Sequence, residues 1–141
     1  MIVLDTNVVS ELMRARPDER VLDWVATQPS SLLHVTSITQ AEILHGILVL
    51  PAGKKRSAIQ AAAEAMFETD FADRILAFGS DAAIEYARIA SERRKLGRPI
   101  SQFDAQIAAI ARSVKASIAT RNVADFQGCG VKVMNPWQGD A

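Results

Sequence analysis

The sequence predicts an α/β domain built on a short, mainly parallel sheet covered by helices on both faces. Three observations carry this. Short runs of branched apolar residues recur along the chain, and longer segments with helical spacing separate them. Strands that alternate with helices imply βαβ units and parallel pairing. The chain has 141 residues, 49% hydrophobic and 23% charged, enough for one domain (1–141) with a sizeable core.

The elements follow in order. Met1 to Leu4 reads as a short buried strand. Asp18 to Thr27 is helical, with Pro17 just before it. Leu32 to Val35 is a second strand, preceded by Pro29-Ser30-Ser31 and ending at Thr36-Ser37. A helix from Ile38 to Leu50 is stopped by Pro51-Ala52-Gly53, and an alanine-rich helix runs from Ser57 to Thr69. Arg74 to Phe78 is a third strand. The helix from Ser80 to Leu96 ends at Gly97, with Pro99 beyond it. Gln102 to Lys115 is the last helix, before strands at Ser117 to Thr120 and Val131 to Met134. No internal repeat, low-complexity tract or long linker interrupts the series.

Composition narrows the function. No apolar run approaches the roughly 20 residues that a membrane span requires, and no basic n-region precedes the first apolar run, so a signal peptide is not expected. Cys129 is the single cysteine, which fits a reducing compartment and a cytoplasmic protein. Lys+Arg and Asp+Glu are both 16, against a strongly basic nucleic-acid binder. Two local basic runs remain, Lys54-Lys55-Arg56 and Arg93-Arg94-Lys95 with Arg98.

Four acids stand where a parallel sheet would bring them together. Asp5 ends the first strand, and Asp is also a favoured helix N-cap. Glu42 lies on the stripe of Ile38 and Gly46, between Ala41, Ile43 and Leu44, yet Thr39-Gln40-Ala41-Glu42 also fits a capping box. Asp104 shares its face with Ile107, Ala108 and Ala111, while Ser101 to Asp104 fits a variant of the same box. Asp125 follows the fourth strand, where a solvated loop acid is the plain alternative. In an open parallel sheet the strand ends converge on one edge, where ligands bind. Clustered carboxylates repel and take up protons. A hard divalent cation, Mg²⁺ or Mn²⁺, relieves the repulsion with oxygen ligands. It also acidifies a bound water into a nucleophile.

The stretches "MIVLDTNVVSEL", "SITQAEILHGI", "ISQFDAQIAAIA", "IATRNVADF" and "NPW", in this order and at these intervals, resemble a PIN domain. More narrowly they resemble the VapC-type, FitB-like toxins of type II toxin–antitoxin modules. The likeness runs from Met1 to Trp137. It implies a three-layer α/β/α sandwich and a metal-dependent ribonuclease. Asp5, Glu42 and Asp104 match the family's core acids, with Asp5 and Asp104 as direct metal ligands and Glu42 as ligand or water-mediated partner. The fourth acid is Asp125, or else the position of Asn122, which is an Asp in some relatives. Thr6, Asn7 and Thr120 give polar support. The resemblance further implies a homodimer and a cognate VapB/FitA-type antitoxin whose arginine reaches the acids. Operator DNA would be bound only through that antitoxin. Arg93, Arg94, Lys95 and Arg98 are candidate RNA contacts, against the alternative of a solvated helix end.

Other readings compete. Glu42-Ile43-Leu44-His45 is half of a di-iron motif, which needs a second copy, and His34 is the only other histidine. An aspartyl-phosphate hydrolase of the haloacid dehalogenase kind would carry Asp, not Asn, at position 7. The alternative from another class is a catalytically silent PIN-like binding or regulatory module.

Overall fold

The computed structural model describes residues 1–138. Five parallel strands form the sheet: β1 (Ile2–Leu4), β2 (Leu33–Thr36), β3 (Ile75–Leu76), β4 (Ser117–Ala119) and β5 (Val133–Met134). They lie in the order β3-β2-β1-β4-β5. The chain winds outward from β1 to β3, then crosses back to pair β4 with the open side of β1. Ile2 accordingly faces Leu33 on one side and Ser117 on the other. Strand order reverses at β1, the place where open sheets of this kind leave a crevice.

Among the described residues six α-helices cover the sheet: α1 (Thr6–Leu12), α2 (Glu19–Thr27), α3 (Ser37–Leu48), α4 (Lys54–Ala65), α5 (Ser80–Lys95) and α6 (Gln102–Ser113). The strand period of two sorts the core into two layers. Ile2 and Leu4 pack with Val8, Val9, Trp24, Ile43 and Ile47 on the α1–α4 side. Val3 points the other way, to Ile89, Ile107, Ile110 and Ile118 on the α5–α6 side. This is the three-layer α/β/α arrangement.

Four details differ from the sequence expectation. α1 was not foreseen, because Thr6, Val8 and Val9 are β-branched, weak helix formers in a segment of seven residues. Burial of Val8 and Val9 against the sheet supplies what propensity lacks. The alanine-rich helix begins three residues earlier, at Lys54, so the basic run is its first turn. It also ends earlier, at Ala65, giving way to a wider π turn over Met66–Asp70 that buries Met66 and Phe67. The third strand shrinks to Ile75–Leu76. Finally, α3 is capped by Thr36, whose hydroxyl accepts from the Thr39 N–H at 3.1 Å. Glu42 therefore sits a turn beyond a capping position.

Candidate active site

Asp5 continues the ladder of β1 by one residue, its N–H donating to the Ala119 carbonyl at 2.9 Å. It is both a cap and a site residue, one oxygen for each. Oδ1 accepts from the Thr6 N–H at 2.8 Å, closing the first turn of α1. Oδ2 accepts from the Thr120 hydroxyl at 2.7 Å. Thr120 is itself saturated, because its Oγ1 also accepts from Asn7 Nδ2 at 3.2 Å and from the Asn122 N–H at 3.1 Å. With both lone pairs taken, its proton has only Asp5 to serve.

Glu42 reaches the same place from α3. Its Oε1 accepts from the Thr6 hydroxyl at 3.0 Å, and that hydroxyl also lies 2.9 Å from Thr39 Oγ1. Asp104 enters from the first turn of α6, whose cap is Ser101, with the Asp104 N–H donating to Ser101 Oγ at 3.2 Å. The three acids line one cleft of about 510 Å³ together with Thr6, Asn7, Ser10, Glu11, Arg14, Arg121, Asn122 and Trp137. An apolar hollow of about 320 Å³ adjoins it, sharing Thr6, Ser10 and Glu42 and lined further by Met13, Ile43, Gly46 and Ile47.

The electrostatics are those of crowded carboxylates. Burial pushes Asp5 up to about 6, against the hydrogen bonds from Thr120 and Thr6 and with the help of the Asp104 and Glu42 charges. Burial also raises Glu42, with Asp104 adding to the rise over the Thr6 hydrogen bond. Asp104 is raised by burial first, against the Ser101 hydroxyl, and by the charge of Asp125. The donor set is all oxygen and anionic when ionised, which fits a hard divalent cation. Among the described residues no group of three His, Cys, Asp or Glu side chains is set to hold a metal ion by itself. Mg²⁺ does not require one, since it keeps several waters and is held through one or two carboxylates.

Two expected groups lie elsewhere. Asp125 is exposed on the short helical turn Val123–Phe126 and does not line the cleft, while Asn122 does. Asp125 stands close enough for its charge to bear on Asp104, while the Asn122 position, the alternative for the fourth acid, lines the cleft itself. Arg93 departs from the expectation of an RNA contact. It is 5% exposed, and its guanidinium donates to the carbonyls of Arg98 (2.7 Å), Asp125 (2.8 Å) and Gln127 (3.0 Å). Its Nε and Nη1 are spent on the fold, and its burial keeps it from the surface where an RNA phosphate would meet it. Arg94, Lys95 and Arg98 are exposed, outside the cleft.

The structure adds residues that the sequence reading passed over. Glu11 is buried on the cleft wall, accepting from Arg14 and from the Asp18 N–H at 3.0 Å. Arg121 also lines the cleft, its guanidinium 5.1 Å from the centre of the Trp137 ring. Glu11 lies on the same side of α1 as Asn7, four residues before it, a spacing that would have found it had the helix been recognised. His45 is exposed and outside the cleft, and Asn7 serves Thr120 and the Arg121 N–H, so neither the di-iron nor the aspartyl-phosphate reading has its constellation.

Comparison with known proteins agrees with this fold. The PIN domain family profile matches residues 2–127. The chain is 39% identical over 138 residues to the VapC ribonuclease Y4jK of Sinorhizobium fredii, covering 98% of this chain and 99% of that protein. It is 38% identical over 137 residues to the toxin FitB of Neisseria gonorrhoeae, covering 97% of this chain and 99% of that protein. Among solved structures, FitAB bound to an IR36 DNA fragment superposes with a TM-score of 0.91 at 38% identity, over 97% of this chain and 96% of that one. The chain belongs to the PIN domain family, in the group that includes the VapC ribonucleases and the toxin FitB.

Proposed function

We propose that this chain is a Mg²⁺- or Mn²⁺-dependent endoribonuclease, a single PIN domain over 1–141 that acts as the toxin of a type II toxin–antitoxin pair. The observation that carries the reading is the meeting of three carboxylates from three separate elements in one cleft, each held above its ordinary pKa. One buried and two half-buried acids that repel one another cost the fold stability, and a cation site is the use that offsets the cost.

Asp5 and Asp104 would hold the cation, with Glu42 as a further ligand or as a partner through water, and the cation would supply charge for a phosphoryl oxygen and acidify a water. The remaining work falls to the chain's own groups. The Thr6 N–H and the Thr120 hydroxyl fix the Asp5 carboxylate from two directions. Asn7 and the Asn122 N–H lock Thr120 in turn, and the Thr6 hydroxyl steadies Glu42. Asp125 acts on Asp104 through its field. Arg94, Lys95 and Arg98, exposed where α5 gives way to the loop before α6, would track the RNA backbone outside the cleft.

Names of the relatives support the rest. The toxin FitB and the FitAB complex on DNA point to a cognate VapB/FitA-type antitoxin, with operator DNA bound only through it. The apolar hollow beside the acids suits an antitoxin segment that carries an arginine into the cleft. A homodimer working on RNA in the cytoplasm completes the reading. Among the described residues, no helix is long and apolar enough to cross a membrane.

Purified, antitoxin-free protein incubated with total cellular RNA should yield discrete fragments with Mg²⁺ or Mn²⁺ and none with EDTA. Asp5→Asn and Asp104→Asn should each cut cleavage by about a thousandfold, the several kcal/mol that a metal site contributes. Variants as active as wild type would overturn the site. A wild type that binds antitoxin and cuts no RNA would make the protein a silent binding module.

A further inference from the structure

The acid cleft has a basic wall that the chemistry above does not use. Arg121 follows Thr120 directly and shares the cleft with Asp5, Glu42 and Asp104. Its guanidinium lies over the ring of Trp137, which is only 5% exposed and so forms a fixed shelf. Among the described residues the Arg121 side chain makes no hydrogen bond and no ion pair. Arg14, the other arginine of the cleft, differs in this respect, because its Nη1 is 3.3 Å from Glu11.

Arg121 shares the cleft with three carboxylates yet pairs with none of them, and the acid its charge bears on is Asp18. Here the indole face holds it by a cation–π contact. Its N–H donors stay available, in the planar fork that matches two oxygens of a phosphate. A strand drawn to a floor of carboxylates needs such a fork, since the floor repels its phosphates.

We propose that Arg121, shelved on Trp137, binds a phosphate of the RNA strand and so sets its register over Asp5 and Asp104. Arg121 is thus a substrate-binding residue, and Trp137 a positioning residue that acts through it. The inference rests on the ribonuclease reading for its substrate, but its test is separable.

Binding is read by fluorescence anisotropy of a short single-stranded RNA oligonucleotide of mixed sequence, in the Asp104→Asn background where cleavage does not intrude. Arg121→Met should weaken binding about tenfold, the scale of one charged hydrogen-bonded contact. It should also flatten the slope of log affinity against log salt by about 0.7, the value of one phosphate contact on a single strand. Arg121→Lys should fall between, because it keeps the charge and loses the fork. Trp137→Leu should weaken binding in the same direction, and Trp137→Phe should restore most of it. With Asp104 intact, Arg121→Met should raise KM far more than it lowers kcat.

Unchanged affinity and salt slope in Arg121→Met would overturn the inference. So would unchanged RNA affinity with lost affinity for the cognate antitoxin, which would make Arg121 a partner contact. Failure of wild type to cleave would refute the nuclease while leaving the binding result to stand or fall by itself.

Discussion

Asp5 and Arg93 are each 5% exposed, and they are hidden in different company. The Arg93 guanidinium is surrounded by acceptors: three backbone carbonyls, with Cys129 Sγ at 3.5 Å. Each of these contacts stabilises its charge. Asp5 has two donors, the Thr6 N–H and the Thr120 hydroxyl, and beyond them two more acids that oppose its ionisation. A buried charge met on all sides ties loops to helices. A buried charge left in partial conflict is held ready for something else. Burial alone does not separate the two cases, and the identity of the neighbours does.

The sharpest way to break this contrast is Arg93→Met. The loss strands three carbonyls that anchor the Asp125–Gln127 turn and the loop after α5. Denaturant unfolding should show a destabilisation of about 4 kcal/mol, at about 1 kcal/mol or more for each orphaned acceptor. RNA and metal binding per folded molecule should be close to wild type. A stable variant that has lost RNA affinity would put Arg93 back among the functional residues.

A smaller effect belongs to Asp5, and its sign follows from the raised pKa. The carboxyl keeps its proton up to about 6 in the folded chain, against an ordinary value of 3.8. Between these values the unfolded chain releases a proton that the folded chain retains, so this contribution to stability is present below about pH 4 and lost as pH rises through 6. The loss amounts to at most about 3 kcal/mol. Unfolding in EDTA across this range should show the decline, and Mg²⁺ or Mn²⁺ should reverse it at neutral pH. Asp5→Asn should flatten the profile. It should change stability by less than about 1 kcal/mol at neutral pH, because relief of the ionised group is offset by a hydrogen bond that Thr120 can no longer make. A large loss of stability with metal affinity intact would make Asp5 a cap and nothing more.

Thr120→Val is the finest test. It removes the hydroxyl proton that fixes Asp5 Oδ2 while keeping the shape of the side chain. Metal affinity by calorimetry should fall about tenfold, the lower end for a group that orients a ligand.

Much of the fold was legible in the sequence. Apolar runs marked the buried strands β1, β2 and β4. Caps and stops bounded the helices well, with Asp18 capping α2 through the Arg20 N–H at 2.9 Å and Gly97 closing α5 at a φ of 71°. What escaped was decided by tertiary contact. α1 forms against its own propensities because Val8 and Val9 are buried, and Thr36 outcompeted Thr39 as the cap of α3. Asp5, Glu42 and Asp104 could be picked out because each interrupts an apolar stripe. Arg121 and Trp137 carried no such signal, since sixteen residues separate them and only the fold brings ring and cation together. Arg93 misled for the opposite reason: a basic run looks solvated, and nothing local says that one member turns inward.

The order of the strands bears on how the protein comes into being. Thr120 meets Asp5 across 115 residues, and β4 pairs with the edge of β1 that β2 leaves open. Synthesis delivers Asp5 and Glu42 early and Asp104 late, and only then the strand that locks Asp5 in place. A chain interrupted before β4 emerges therefore carries its acids unassembled, with no joined cleft and no fixed carboxylate. The cleft is thus completed by one of the last elements of the chain to be made, when β4 pairs with β1 and brings Thr120 to Asp5.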